Sequence, residues 1–400
     1  MDFEAWWLVF IPLIFALGWL AAKGDTSQLL FESKRLPESY FKGLNFLFNE
    51  DHDRAIDAFM EVAELDTETI ELHFALGNLF RRRGEIERAI RVHQSLLTRD
   101  DLPEPDQQHA LYELGQDYFK AGMFDRAENA FKEVLETHYR LDAIRALIRI
   151  YEAEHDWSRA LDTVKLLQAM RDEAVPQVVH YYCELAQQAL LQKPADVRKA
   201  NSHLQHALNF IERHPELQTS ASTARVQILQ AQMAQSQHDV AAQAQHLRQV
   251  LALTPNYADL VAEPLMQCCE QSQQVEEGLA DLQAHYQAYP SLSVFKTILA
   301  YKRKYQSEQD AWEFARASLQ HHPSILGLDK LLEVELKQDD EQSTKSSQQL
   351  TFIRSNIHKQ ASRLDRFVCN ECGFQTKNFY WQCPGCHQWD TYTTQRLEEL

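Results

Sequence analysis

Residues 73–96 read HFALGNLFRRRGEIERAIRVHQSL, and this stretch decides the fold because it recurs. Residues 40–62 read YFKGLNFLFNEDHDRAIDAFMEV, and residues 111–134 read LYELGQDYFKAGMFDRAENAFKEV. Superposing the first two places Gly43 opposite Gly77, Ala55 opposite Ala89 and Phe59 opposite His93, each pair 34 residues apart. In the third copy Gly115, Gly122, Ala127 and Phe131 fall in the corresponding slots at an offset of 38 residues. The four additional residues lie in DDLPEPDQQ, where a loop is expected to absorb them.

The slots have a steric meaning. A small residue at the eighth position and alanine at the twentieth let two antiparallel helices approach closely, and glycine at the fifteenth eases the turn between them. Gly43, Gly77 and Gly115 take the eighth position, and Gly84 and Gly122 the fifteenth. Aromatic residues at the eleventh, Phe46, Phe80, Tyr118 and Tyr151, fill the space between helices. Fainter copies keep phase through Tyr151, Ala160 and Leu167, then Ala200, Leu204 and Ala207. Ala242 with Pro255, Gly278 with Pro290 and Ala311 with Pro323 mark three more, the prolines closing each second helix. This is the tetratricopeptide pattern. It predicts an all-α superhelical solenoid of about eight or nine repeats over residues 36–335. Such an array offers a peptide- or protein-binding surface and carries no catalytic motif.

Composition agrees. The 400 residues include only 11 glycines and 12 prolines, and 400 residues exceed what one core organises. A formal charge of −18 weighs against a chain built to hold a phosphate backbone, so no nucleic acid is expected. The Arg81, Arg82, Arg83 run, with Arg88 and Arg91 after it, reads as a solvated helix end. Cys183, Cys268 and Cys269 sit in apolar helical patterns, whereas the other four cysteines form close pairs, a distribution that fits a reducing compartment.

From Ala5 to Ala22 no residue is charged, and 18 residues as a helix span ~27 Å, the depth of a bilayer's hydrocarbon. Trp6, Trp7 and Trp19 suit the interfacial belts. Acidic Asp2 and Glu4 argue against a cleaved signal peptide. Lys23, Lys34, Arg35 and Lys42 all follow the segment, which predicts a single-pass anchor over residues 1–22 with the bulk of the chain in the cytoplasm.

At the other end, residues 336–364 read as a polar linker and a connecting helix whose Arg354, His358, Lys359 and Arg363 form a basic face. Residues 365–400 then hold CNECGFQTKNFYWQCPGC. Cys369 and Cys372 are two residues apart in the intervening sequence, as are Cys383 and Cys386. Two such turns aim four thiolates at one ion, so the four are metal ligands of a closed tetrahedral S4 site for iron or zinc. With no position open to water or substrate, the ion holds the segment together. His387 stands where a rubredoxin has glycine, and could compete as a ligand. Phe367, Phe374, Phe379, Tyr380, Trp381, Trp389 and Tyr392 are expected to wrap the site, and the module to pack on the repeats and close one end of their groove.

An anchor, tetratricopeptide repeats and a rubredoxin-like knuckle in this order closely resemble the lipopolysaccharide assembly protein B family. The resemblance implies a protein of the bacterial inner membrane that restrains lipopolysaccharide synthesis. It further implies as partners a membrane-anchored AAA+ protease, the deacetylase committing precursors to lipid A, whose degradation is promoted, and other lipopolysaccharide assembly proteins. The family's metal-binding cysteines map onto Cys369, Cys372, Cys383 and Cys386, and no catalytic residue is carried over. A homo-oligomer is compatible with the sequence. The rival classes are a zinc-ribbon nucleic-acid binder, for which Lys359, Arg363 and Arg366 precede the knuckle, another membrane-tethered interaction scaffold, and a metal hydrolase or redox protein.

Overall fold

The computed structural model describes residues 70–171, 175–339 and 345–398, with short stretches between 41 and 58. The predicted anchor lies outside these residues, as does much of the first repeat. Among the described residues no helix is long and apolar enough to cross a membrane.

Helices follow one another as α1 (Ile70–Arg83), α2 (Ile86–Leu97), α3 (Glu104–Lys120), α4 (Phe124–Glu133), α5 (Arg140–Ala153) and α6 (Trp157–Met170). They continue as α7 (Val178–Leu190), α8 (Val197–Arg213), α9 (Ser220–Ser236), α10 (Val240–Leu253), α11 (Ala258–Gln271) and α12 (Val275–Ala288). The last four are α13 (Leu292–Tyr305), α14 (Glu308–His321), α15 (Ile325–Asp339) and α16 (Lys345–Leu364). Strands β1 (Phe367–Val368) and β2 (Gln375–Thr376) pair antiparallel in the terminal module. This is an all-α repeat architecture with a small C-terminal ribbon. Two compact units divide within α5, one up to Ile150 and one from Tyr151.

In the first unit the small-residue slots are contact points. A Cβ built on Gly77 would collide with the His93 ring, and one on Gly115 would lie 2.8 Å from Phe131. The residues that superpose in sequence, His93 and Phe131, are thus the ones packed on the aligned glycines. Gly84 and Gly122 adopt φ of +86° and +72° in the helix-to-helix turns, a left-handed conformation that costs other residues about 1 kcal/mol or more. The expected loop insertion is only partly a loop, since helix α3 begins at Glu104 and takes in the rest of DDLPEPDQQ.

The arginine run divides. Arg81 turns inward and bonds both Glu113 and Asp117 of α3, while Arg82 and Arg83 are exposed. Asp117 also holds buried His93 Nδ1 at 2.5 Å. Burial would raise the Glu113 carboxyl, but hydrogen bonds from His109 and Arg81 and the guanidinium charge hold it at about 2. The solvated-end reading therefore fails for Arg81, because three acceptors on the neighbouring hairpin compensate its desolvation.

In the second unit three helix-to-helix turns keep the same backbone without glycine. His155, His238 and Gln273 take φ of 56°, 59° and 60°. Asp156 and Asp239 then cap α6 and α10, accepting from the N–H groups of Arg159 and Ala242, and Asp196 caps α8 in the same way. The core runs through Val261, Leu265, Met266, Val294, Phe295 and Ile298, all buried, with Cys268 and Cys269 among them. Pro255 opens a short 3-10 turn, and Pro290 and Pro323 lie between α12 and α13 and between α14 and α15, as the sequence pattern requires. Helix α16 folds back on α15, where Arg354 reaches Glu333 at 3.2 Å and His358 Nδ1 meets Asp329 at 3.0 Å. Two members of the predicted basic face therefore meet acidic groups of the repeats.

Candidate metal centre and its seat on the repeats

The two cysteine turns are built alike. Gly373 N–H donates to the Cys369 carbonyl at 2.9 Å, and His387 N–H to the Cys383 carbonyl at 2.9 Å. Both closing residues are left-handed, Gly373 at φ 72° and His387 at φ 58°. His387 thus fills the glycine position as backbone, and it is not among the clustered ligand atoms. The four Sγ atoms lie within 4.8 Å of one another. Cys369 Sγ is 3.8 Å from Cys386 Sγ, and Cys372 Sγ is 3.7 Å from Cys383 Sγ. A tetrahedron with metal–sulfur bonds of ~2.3 Å has edges of ~3.8 Å, so these spacings fit zinc or iron bound to four thiolates. Gly385 N–H points at Cys383 Sγ from 3.3 Å, offsetting thiolate charge. Cys369, Cys372, Cys383 and Cys386 form a tetrahedral metal-binding site with all four positions taken by the protein.

The aromatic residues do not all wrap this site. Phe367, Phe379 and Tyr392 do, packing with Cys369 and Cys383. Phe374 and Tyr380 are 44% and 40% exposed. Trp381 and Trp389 turn outward to the helices instead, because about 30 residues around an ion cannot enclose seven large rings.

Those two indoles make the seat. Trp381 stacks on Tyr257 at 5.6 Å, and Trp389 lies parallel to His180 at 4.8 Å. Between them the Arg225 guanidinium sits 5.5 Å from each ring, its side chain only 1% exposed. Arg225 also donates to Glu184 at 2.5 Å and faces His180 Nδ1 at 3.2 Å. The opposite imidazole nitrogen, Nε2, lies 3.1 Å from Asp390, which accepts in addition from the Thr219 hydroxyl. Trp389 Nε1–H and Tyr181 O–H both donate to Glu152, at 3.0 and 2.7 Å. Nδ1 accepting and Nε2–H donating describe a neutral ring. Burial lowers the His180 pKa, against the pull of Asp390.

The module therefore packs on the repeats, but it does not sit beyond the last hairpin. It crosses the starts of α7, α9, α11 and α15, touching His180, Thr219, Asn256 and Ser324. Sequence reading missed His180, Arg225, Asp390 and Glu152. One signal was present: Arg225 occupies the position between Ala221 and Leu229 on an otherwise apolar helical stripe.

Comparison with known proteins finds both parts of the chain. The family described as "Rubredoxin metal binding domain" matches residues 367–393, and "Tetratricopeptide repeat" families match residues 72–105 and 109–138. Lipopolysaccharide assembly protein B of Escherichia coli (strain K12) is 29% identical over 384 residues, covering 95% of each chain. Over nearly its whole length the chain is similar to proteins named lipopolysaccharide assembly protein B. The Haemophilus influenzae lipopolysaccharide assembly protein B is 27% identical over 399 residues, covering 95% of this chain and 96% of its own. A tetratricopeptide repeat protein from Parabacteroides merdae, a solved structure, covers 74% of this chain and 97% of its own at 12% identity and a TM-score of 0.31.

The three remaining thiols are not part of the centre. Cys183 and Cys268 are buried, and burial raises their pKa to about 12 and about 11, so they behave as small apolar residues.

Proposed function

We propose that the chain is a non-enzymatic adaptor at the bacterial inner membrane that regulates lipopolysaccharide assembly. Its repeats stand on the cytoplasmic side, tethered by residues 1–22. The supporting observation is the alignment with proteins named lipopolysaccharide assembly protein B over 95% of both chains, spanning the repeats and the ribbon together. The adaptor brings the membrane-anchored AAA+ protease and the lipid A-committing deacetylase together, promotes the deacetylase's degradation, and contacts other lipopolysaccharide assembly proteins. Its contribution is geometric. A tether confines it beside a membrane protease and raises effective concentration toward the ~mM range, while repeats and ribbon present a fixed surface.

The test is the steady-state level of the deacetylase in cells carrying the full chain, lacking it, or carrying it without residues 1–22. The expected result is low deacetylase with the full chain and accumulation in the other two. Equal levels in all three would refute the proposal. Crosslinking in membranes should recover the protease with the full chain and lose it with the truncated one.

A further inference from the structure

The metal module ends in a segment that returns to the repeats. Thr394 donates to the Asn256 carbonyl ahead of α11. Arg396 lies 3.6 Å from the Phe367 ring centroid, and its guanidinium forms an ion pair with Asp365, immediately after α16, with Nε 3.0 Å from the carboxylate. Leu397 N–H donates to the Arg366 carbonyl at 2.8 Å. Glu398 then places its carboxylate on the start of α15, accepting from Ser324 Oγ at 3.0 Å, from Leu326 N–H at 3.0 Å and from Ile325 N–H. The first N–H groups of a helix have no partner within it, and a carboxylate there satisfies them and meets the positive end of the helix dipole. Ser324 Oγ also accepts from Gly327 N–H at 2.9 Å.

At this end the hairpin so held packs through a small cluster of Leu292, Leu326 and Ala361 with Leu364 beside them, while Leu331 of α15 joins the main core. Phe367, against which Arg396 stacks, belongs to the packing around Cys369 and Cys383. A continuous chain of contacts thus runs from the metal ligands through Phe367 and Arg396 to Glu398 and the first turn of α15. We propose that residues 394–398 form a strap through which metal occupancy of the four-cysteine site holds the α15–α16 hairpin in place. The strap links the ion to the last helices of the array, and binding of the ion tightens a hairpin that contributes no ligand.

The experiment is hydrogen exchange on the full chain, with zinc bound and after removal with EDTA, for the unsubstituted protein and for Glu398→Ala. Removal of zinc is expected to speed exchange at 325–332 about tenfold in the unsubstituted protein, the scale of losing a helix cap. Glu398→Ala with zinc bound should give the same increase, and removal of zinc from that variant should add little. No change on removing zinc, or two effects that multiply, would overturn the strap. A second readout remains if the metal-free chain unfolds. Coupling is reciprocal, so Glu398→Ala should weaken zinc binding about tenfold in a competition titration. An unaltered zinc affinity would also overturn it.

Discussion

At the scale of single residues, Arg225 and His180 hold the metal module's seat on the repeats. A planar guanidinium between two indoles gains from both faces, which a lysine ammonium cannot reproduce. Arg225→Lys should lower unfolding stability by about 2 kcal/mol and shift the tryptophan emission to longer wavelength as Trp381 and Trp389 become hydrated. His180 gives a pH dependence of defined sign. Its folded pKa lies below the ordinary ~6.5, so the unfolded chain binds the proton more readily. The stability it confers is complete above pH ~6.5 and declines as pH falls below that value. Protonation would put a second donor against Arg225, with only Asp390 and the Glu184 carboxylate nearby to compensate. The difference in stability between the unsubstituted protein and His180→Gln, followed by denaturant titration from pH 7.5 to 5, should shrink on acidification. A constant difference would show that His180 does not titrate across folding. The four metal-site cysteines were fully legible in sequence, because ligand spacing within a C-x-x-C turn is local. The seat was not: His180 and Asp390 are 210 residues apart, and no local pattern announces such a pair.

At the scale of the helical hairpin the sequence said more. The glycine slots translate into contacts at Gly77 against His93 and Gly115 against Phe131. The aromatic slot carries a partner that the pattern alone did not supply. Arg88 covers Phe80 at 5.6 Å, Arg126 covers Tyr118 at 5.8 Å, and Arg159 covers Tyr151 at 4.6 Å, each arginine coming from the following helix. Repeats fade toward the C-terminus because the turn glycine is replaced, at His155, His238 and Gln273, without any change of backbone. A pattern written in residue types loses such positions, although the conformation persists. Gly77→Ala should destabilise by about 2 kcal/mol, since His93 is buried against Asp117 and cannot move aside. Gln273→Gly should stabilise by about 1 kcal/mol by relieving the left-handed backbone. Thermal unfolding of the two variants measures both, and a Gly77→Ala protein as stable as its parent would contradict the close-approach reading.

At the scale of the whole molecule, the closed S4 geometry makes the ion a fastener for a module whose outward tryptophans grip the repeats. Its removal should therefore be felt far from the cysteines in sequence. The most direct test is hydrogen exchange across Val178–Leu190 and Ser220–Ser236 in the full chain carrying Cys369→Ser and Cys372→Ser, compared with the metal-loaded parent. Both helices are expected to lose protection, beginning at His180 and Arg225. Protection of α7 and α9 equal to that of the metal-loaded parent would contradict this.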